Sequence, residues 1–322
     1  MLSDPYRIKL RFRNRKYALS TDVTKAYHQL RTTLVEMHLR RIIYRKSTAV
    51  PWKTYGFLCV SFGDIAAQAI LECCLQRVAK ENRHIDRVAA NIVEIDRFVD
   101  DLPSGSDEIS VMERLRGDIL ENWQTTGTLA QIMAKGGFVL KVVACSGDKD
   151  GPMVRKLGGS ILGTPWNTET DKCWIPLVVN VSNRRRGLPT GQDVTLETVG
   201  SLEGAIFTRR IVLSVTMSLY DPLGYICPLS TRLRWLVQQL GKPAVKKGWD
   251  EPLSQGEKEP WIEIFTKMVT AGRVVFPRSC KPEDTDLTAD VILINFMDGS
   301  DVAKAFAAYI RRITCVFTSC KK

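Results

Sequence analysis

The chain has 322 residues, 44% hydrophobic and 25% charged, which suits two ordinary domains and excludes a disordered or collagen-like chain. No apolar run reaches the ~18 residues of a spanning helix, and Met1-Leu2-Ser3-Asp4-Pro5 lacks the apolar stretch of a secretory signal, so a soluble cytosolic or nuclear chain is expected. Its charge of +11, from 46 Lys and Arg against 35 Asp and Glu, favours a polyanionic partner, of which nucleic acid is the commonest inside cells; a solvated basic surface is the alternative.

Nine cysteines form no C-x-x-C pair, and with only three histidines, His28, His38 and His84, zinc ligation of the usual spacing is not expected. The cysteines therefore read as reduced, apolar residues. The basic residues cluster between Arg7 and Lys53, as in Arg11, Arg13, Arg15, Lys16 and then Arg40, Arg41, Arg45, Lys46. Phe12, Tyr17, Tyr27, Tyr44, Trp52 and Tyr55 interleave with them, as a surface that grips a phosphate backbone and stacks bases requires.

In chain order, Tyr17 to Thr21 reads as a strand that turns helical towards Leu30, and Lys53 to Val60 as a second strand. Ile65, Ala69, Leu71, Leu75 and Val78 predict a helix, in which Cys73-Cys74 would be core. Asn91 to Val99 reads as a strand, Asp101 to Ser106 as a turn, and Asp107 to Trp123 as an amphipathic helix with an acidic first turn. Phe138 to Cys145 and Ile161 to Pro165 read as short strands. A basic, glycine-containing loop at Ser182 to Gly191 marks the clearest boundary. Helices follow from Thr208 to Lys247, interrupted at Asp221-Pro222-Leu223-Gly224, and Asp290 to Phe296 reads as a strand that Ala303 to Arg312 would accompany. The class is α+β.

Two acidic positions stand out. Asp22 ends the first strand, and Phe98-Val99-Asp100-Asp101 closes another. Side by side, such strands would bring three carboxylates together, and crowded carboxylates cannot all stay ionised out of water without a cation. Hard oxygen ligands suit Mg²⁺, and two such ions can clamp an in-line phosphoryl transfer. A solvated turn is the alternative, since Glu94, Asp96 and Asp100 would alternate onto one face of an exposed strand.

The order of motifs separates these readings. YALSTDVTKAYHQL (Tyr17 to Leu30) resembles the first catalytic motif of a reverse transcriptase, and FVDDL (Phe98 to Leu102) resembles the second, with Phe98 where Tyr is usual. Between them VSFGDIAAQ (Val60 to Gln68) resembles the template- and nucleotide-gripping segment. GGFVLK (Gly136 to Lys141) and LGTPW (Leu162 to Trp166) resemble the G-G-F-x-L-x-K segment and the primer-grip hairpin. TRRIVLSVTMSLYDPLGYICP (Thr208 to Pro228), with GWDEPL (Gly248 to Leu253), is similar to the connection region of BEL/Pao-class LTR retrotransposon polyproteins. FMDGS (Phe296 to Ser300) resembles the first strand of ribonuclease H.

The resemblance implies a palm and partial thumb over 1–181, a mostly helical connection over 182–285 and a truncated ribonuclease H-like segment over 286–322. It implies an RNA-directed DNA polymerase that adds deoxynucleotides to a primer 3′-OH with Mg²⁺, or Mn²⁺ in its place, on RNA template, DNA primer and RNA–DNA hybrid, with no membrane partner. Asp22 and Asp100 would bind the metals and Asp101 would support them. Val23, Tyr27, Gly63 and Lys141 would lie at the nucleotide: Tyr27 under the sugar, Gly63 allowing close approach, Lys141 near the departing pyrophosphate. Each has a plainer alternative: packing for Tyr27, a turn for Gly63, a solvated lysine for Lys141. Asp298 would be a lone ribonuclease H carboxylate. The motif order leaves most of the fingers absent, so a basic remnant that only binds nucleic acid stands as the alternative function.

Overall fold

The computed structural model describes residues 4–120, 124–141, 143–149, 160–177, 195–221, 223–242, 247–272, 274–281, 291–300 and 303–312. The Ser182 to Gly191 loop, Val142, Pro222 and Asp301 lie outside them. The chain divides into two compact units, the first comprising 1–162, 166–171 and 278–281, the second 163–165, 172–277 and 282–322.

The first unit is built on a three-stranded sheet with β1 (Tyr17–Asp22) in the middle, β4 (Asp101–Ser106) on one side and β5 (Ala144–Cys145) on the other. Ala18 and Leu19 of β1 are fully buried. α5 (Arg87–Ile95) and α6 (Ile109–Arg116) pack against the sheet, α4 (Ala67–Glu81) packs on α5, and α7 (Thr128–Lys135) packs on all three helices. Leu71, Leu75, Ala89, Val93, Leu115 and Ile132 join Leu19 in one continuous core. The remaining elements are α1 (Pro5–Arg13), two short helices α2 (Ala26–Gln29) and α3 (Leu34–Met37), and a hairpin of β2 (Arg41–Tyr44) with β3 (Lys53–Gly56).

Several expectations change here. Asn91 to Val99 is not a strand: Asp86 caps α5 by accepting from the Val88 and Ala89 amides, and Ala89, Ala90, Ile92 and Val93 bury a helical stripe. The face that would have carried Glu94, Asp96 and Asp100 therefore does not exist; Glu94 pairs with Arg83, and Asp96 with Arg11. Asp101 to Ser106 is not a turn but β4, paired with β1 from Tyr17↔Ser106 to Asp22↔Asp101. Its Pro103 is tolerated because β4 is an edge strand. Gly105 is required because a Cβ there would stand 2.2 Å from the Tyr17 carbonyl oxygen.

The helix from Asp107 is shorter than its periodicity suggests, ending at Arg116 before Gly117. Lys53 to Val60 is strand only to Gly56, and among the described residues Phe138 to Cys145 is strand only at Ala144–Cys145. In α4 the buried stripe is Ala67, Leu71, Leu75 and Val78, whereas Ile65 and Ala69 are exposed. Cys73 is exposed and Cys74 half-buried, so that pair is not core.

Two short strands follow, β6 (Ser160–Ile161) and β7 (Thr164–Asn167). In the second unit α8 (Leu196–Glu203), α9 (Arg209–Ser218), α10 (Cys227–Gly241) and α11 (Gln255–Gly272) enclose Phe207, Leu233, Trp261, Phe265 and Met268. The break expected near Asp221 is present, and the Asp221 carboxylate explains it by accepting from the Tyr225 and Ile226 amides at the entry to α10. Strand β8 (Lys172–Trp174) pairs with β9 (Val275–Pro277). The two strands expected here are β10 (Val291–Gly299) and β11 (Lys304–Arg312), which pair antiparallel, with Phe296, Met297, Phe306 and Tyr309 exposed. Among the described residues no helix is long and apolar enough to cross a membrane.

Candidate active site

The end of β1 is held on both sides. On one, the Val23 amide donates to the Asp100 carbonyl at 3.0 Å, continuing the register that sets Asp22 opposite Asp101. On the other, the Thr24 amide donates to the Val139 carbonyl and the Lys141 amide to the Asp22 carbonyl, both at 2.8 Å. Three segments far apart in sequence thereby meet at one point.

Asp100 sits at the tip of a tight turn closed by two hydrogen bonds, Phe98 amide to Asp101 carbonyl at 2.9 Å and Asp101 amide to Phe98 carbonyl at 3.0 Å. The turn places Val99 at φ 57°, in the left-handed region that a β-branched residue rarely enters. Strain of this kind persists only where the surrounding structure fixes it.

The electrostatics follow from the crowding. Burial, then the Asp22 charge, raise the Asp100 carboxyl above its ordinary value. Burial, then Asp100 and Asp22, push Asp101 up to about 6. The Lys141 ammonium bonds the Asp22 carboxylate and partly offsets this repulsion. Oδ1 of Asp22 is buried without a hydrogen-bond partner.

The structure thus brings Asp22, Asp100, Asp101 and Lys141 together. Tyr27 belongs with them, since burial and then the Asp100 charge raise its hydroxyl. Its ring meets Phe62 edge-on at 5.3 Å, a partner that the sequence did not suggest. Gly63, next to Phe62, has φ +94° with open space where a Cβ would be, so backbone conformation rather than crowding calls for glycine. Val23 is buried in the core. Asp298 lies in the second unit on β10, where its carboxylate accepts from the Gly299 amide at 2.8 Å.

A shallow cleft opens beside Asp22 and Asp101, lined also by Pro103, Ile161, Leu162 and Trp166 among others. Trp166 is fixed there by its indole N–H, which donates to Asp171 at 2.9 Å. Among the described residues no three His, Cys, Asp or Glu side chains are arranged around one point as a metal cage. Two carboxylates with an unpartnered buried oxygen fit Mg²⁺, which binds through one or two carboxylates and otherwise through water and phosphate.

Residues 208–318 match the family model of the Pao retrotransposon-like RNaseH-like domain. That stretch of the chain is Pao retrotransposon-like. No curated protein matches it. A solved structure of a foamy viral protease-reverse transcriptase dRH in complex with ds DNA is similar over 96% of this chain and 43% of that one, with a TM-score of 0.52 and 12% identity. A foamy viral protease-reverse transcriptase in complex with RNA/DNA hybrid gives 0.48 and 13% over 96% and 35%. The chain thus spans less than half the length of either. The first likeness is one of mixed α/β fold, and fold alone does not assign chemistry.

Proposed function

We propose that the first unit is the palm of an RNA-directed DNA polymerase, which adds deoxynucleotides to a primer 3′-OH. The observation that carries this reading is the β1–β4 register, which sets Asp22 opposite Asp101 with Asp100 at the adjoining turn. In this reading Asp22 and Asp100 hold two Mg²⁺, or Mn²⁺, and Asp101 supports them. Bound there, the metal supplies the positive charge that an in-line phosphoryl transfer needs.

The chain's own residues do the rest. Tyr27, held by Phe62, lies under the incoming sugar and excludes a ribose 2′-hydroxyl, with Val23 and Gly63 shaping the same side. Lys141 is bonded to Asp22 and can shift to the departing pyrophosphate, where an ammonium stabilises developing charge and donates a proton. The order of parts is palm and partial thumb over 1–181, connection over 182–285 and a ribonuclease H-like segment from 286 in which Asp298 is the acidic remnant. RNA template, DNA primer and RNA–DNA hybrid are the partners, in the cytoplasm or nucleus.

The β2–β3 hairpin supports a second reading, in which the chain binds nucleic acid without catalysis. Its side chains are exposed, with the Arg45 guanidinium 4.4 Å above the Trp52 ring and Tyr44 beside Tyr55. Stacking rings and cations need no metal.

Primer extension by the full chain on a poly(A) template with Mg²⁺ separates the two. Extension that Asp100→Asn abolishes is expected. Salt-sensitive binding of hybrid with no extension would leave only the binding reading, and binding flat between low and physiological salt would show that the +11 charge is not an electrostatic footprint.

A further inference from the structure

Behind the strained turn lies a buried cation. The Arg97 side chain is 1% exposed and reaches three elements at once. Its Nε donates to the Val93 carbonyl of α5 at 3.0 Å, and Nη1 donates to the Val99 carbonyl at 3.1 Å. Its Nη2 pairs with Glu72 Oε2 of α4 at 2.9 Å. The other oxygen of Glu72 accepts from Gln76 at 2.6 Å, which fixes the carboxylate from behind.

A buried charge is costly, and an ion pair in the interior is weak evidence of stabilisation, since apolar residues of the same volume often serve as well. What the pair does here is positional. Val99 has the unfavourable φ, and its carbonyl is the group that Arg97 holds; Asp100 and Asp101 are the next two residues. A hydrogen bond from a charged donor contributes more than a neutral one. The planar fork can address several acceptors in fixed directions, which an ammonium cannot.

We infer that Arg97, anchored by Glu72, is a positioning residue that clamps the Val99 carbonyl and so holds Asp100 and Asp101 against Asp22. This rests on the proposed acidic centre and adds the device that keeps it assembled. Asp96 secures the same segment independently, accepting from Arg11 and from the Ser104 hydroxyl, both at 2.5 Å. Arg97 is therefore not needed to join the segment to the fold, only to set its tip.

The test uses the full chain and two variants. Arg97→Lys keeps a charge for Glu72 but cannot span three acceptors. The double variant Arg97→Met/Glu72→Leu leaves no unpaired buried charge, and so remains folded if the single variant does not. Amide exchange is followed at Asp101 and Val23, which donate to Phe98 and Asp100, and Mn²⁺ affinity is titrated by electron paramagnetic resonance. Exchange at those two amides should accelerate at least about 10-fold while α11 exchanges as before, and Mn²⁺ affinity should fall about 10–100-fold, as when an outer partner of a metal ligand is lost. A folded variant with both readouts unchanged overturns the inference. Equal Mn²⁺ binding by the unmodified chain and by Asp22→Asn would instead overturn the acidic centre itself, and the inference with it.

Discussion

Asp22 and Asp298 each stand near the end of a strand, yet their surroundings differ completely. Asp22 ends a central strand with partners on both sides, keeps a buried oxygen without a partner, and faces two acids whose carboxyls are raised by burial and its charge. Asp298 lies on a two-stranded hairpin and binds the amide of its own neighbour. An acid at a strand end becomes a candidate for chemistry when other segments converge on it. A lone exposed carboxylate keeps its water and needs no cation to offset crowding.

The largest effect that should separate the two regions is on polymerisation. Asp100→Asn removes a carboxylate from the converging set, whereas Asp298→Asn changes an exposed strand end. Extension should fall more than about 100-fold in the first, since even indirect disturbance of a metal ligand costs about 10–100-fold, and should be unchanged in the second. Equal loss in both would dissolve the distinction. So would wild-type extension by a folded Asp100→Asn.

Much of this centre was legible in the sequence, and what was not has a physical reason. Asp22, Asp100, Asp101 and Lys141 could be named because motif order survives where each motif alone is weak. Their elements were harder. Asn91 to Val99 mixes apolar and polar residues in a way that suits alternation as well as helix, and the Asp86 cap that decides it lies upstream of that window. Gly and Pro made β4 look like a turn, because sequence does not show that its proline sits on an edge strand and its glycine against the Tyr17 carbonyl. Arg97 could not be recognised at all: one basic residue before Phe98 looks solvated until α4 closes over it.

Burial alone does not make an acid functional, and Asp86 sharpens that point. Its Oδ1 caps α5, while Oδ2 accepts from Arg114 at 2.8 Å and from the Thr128 hydroxyl at 2.7 Å. Burial would raise its carboxyl, but Arg114, Thr128 and the two amides outweigh that and hold it below the usual range. With a folded-state value below the unfolded one, its contribution is full above about pH 3.9 and is lost as pH falls through the folded-state value. Asp86→Ala should cost about 1–2 kcal/mol at pH 7, as helix caps do. In urea unfolding the gap from wild type should close as the pH drops below about 3.9. A gap that persists in acid would mean that lost packing, not charge, accounts for the cost.

The smallest effect is expected at Asp298 itself. Its carboxylate accepts one local hydrogen bond, and the strands around it carry exposed Phe296, Met297 and Phe306 rather than further acids. Each divalent ion needs several oxygen ligands, so a single carboxylate cannot hold a pair. Among the described residues no second His, Cys, Asp or Glu pair joins it in a metal-sized group. Asp298→Asn retains a side-chain oxygen for the Gly299 amide, and surface changes of this kind stay within about 0.5 kcal/mol. Melting curves of the two proteins should therefore superimpose, and neither should cleave the RNA of a labelled hybrid with Mg²⁺ or Mn²⁺. Metal-dependent cleavage that Asp298→Asn abolishes would show that ligands converge on the hairpin after all, and would move Asp298 to the same side of the comparison as Asp22.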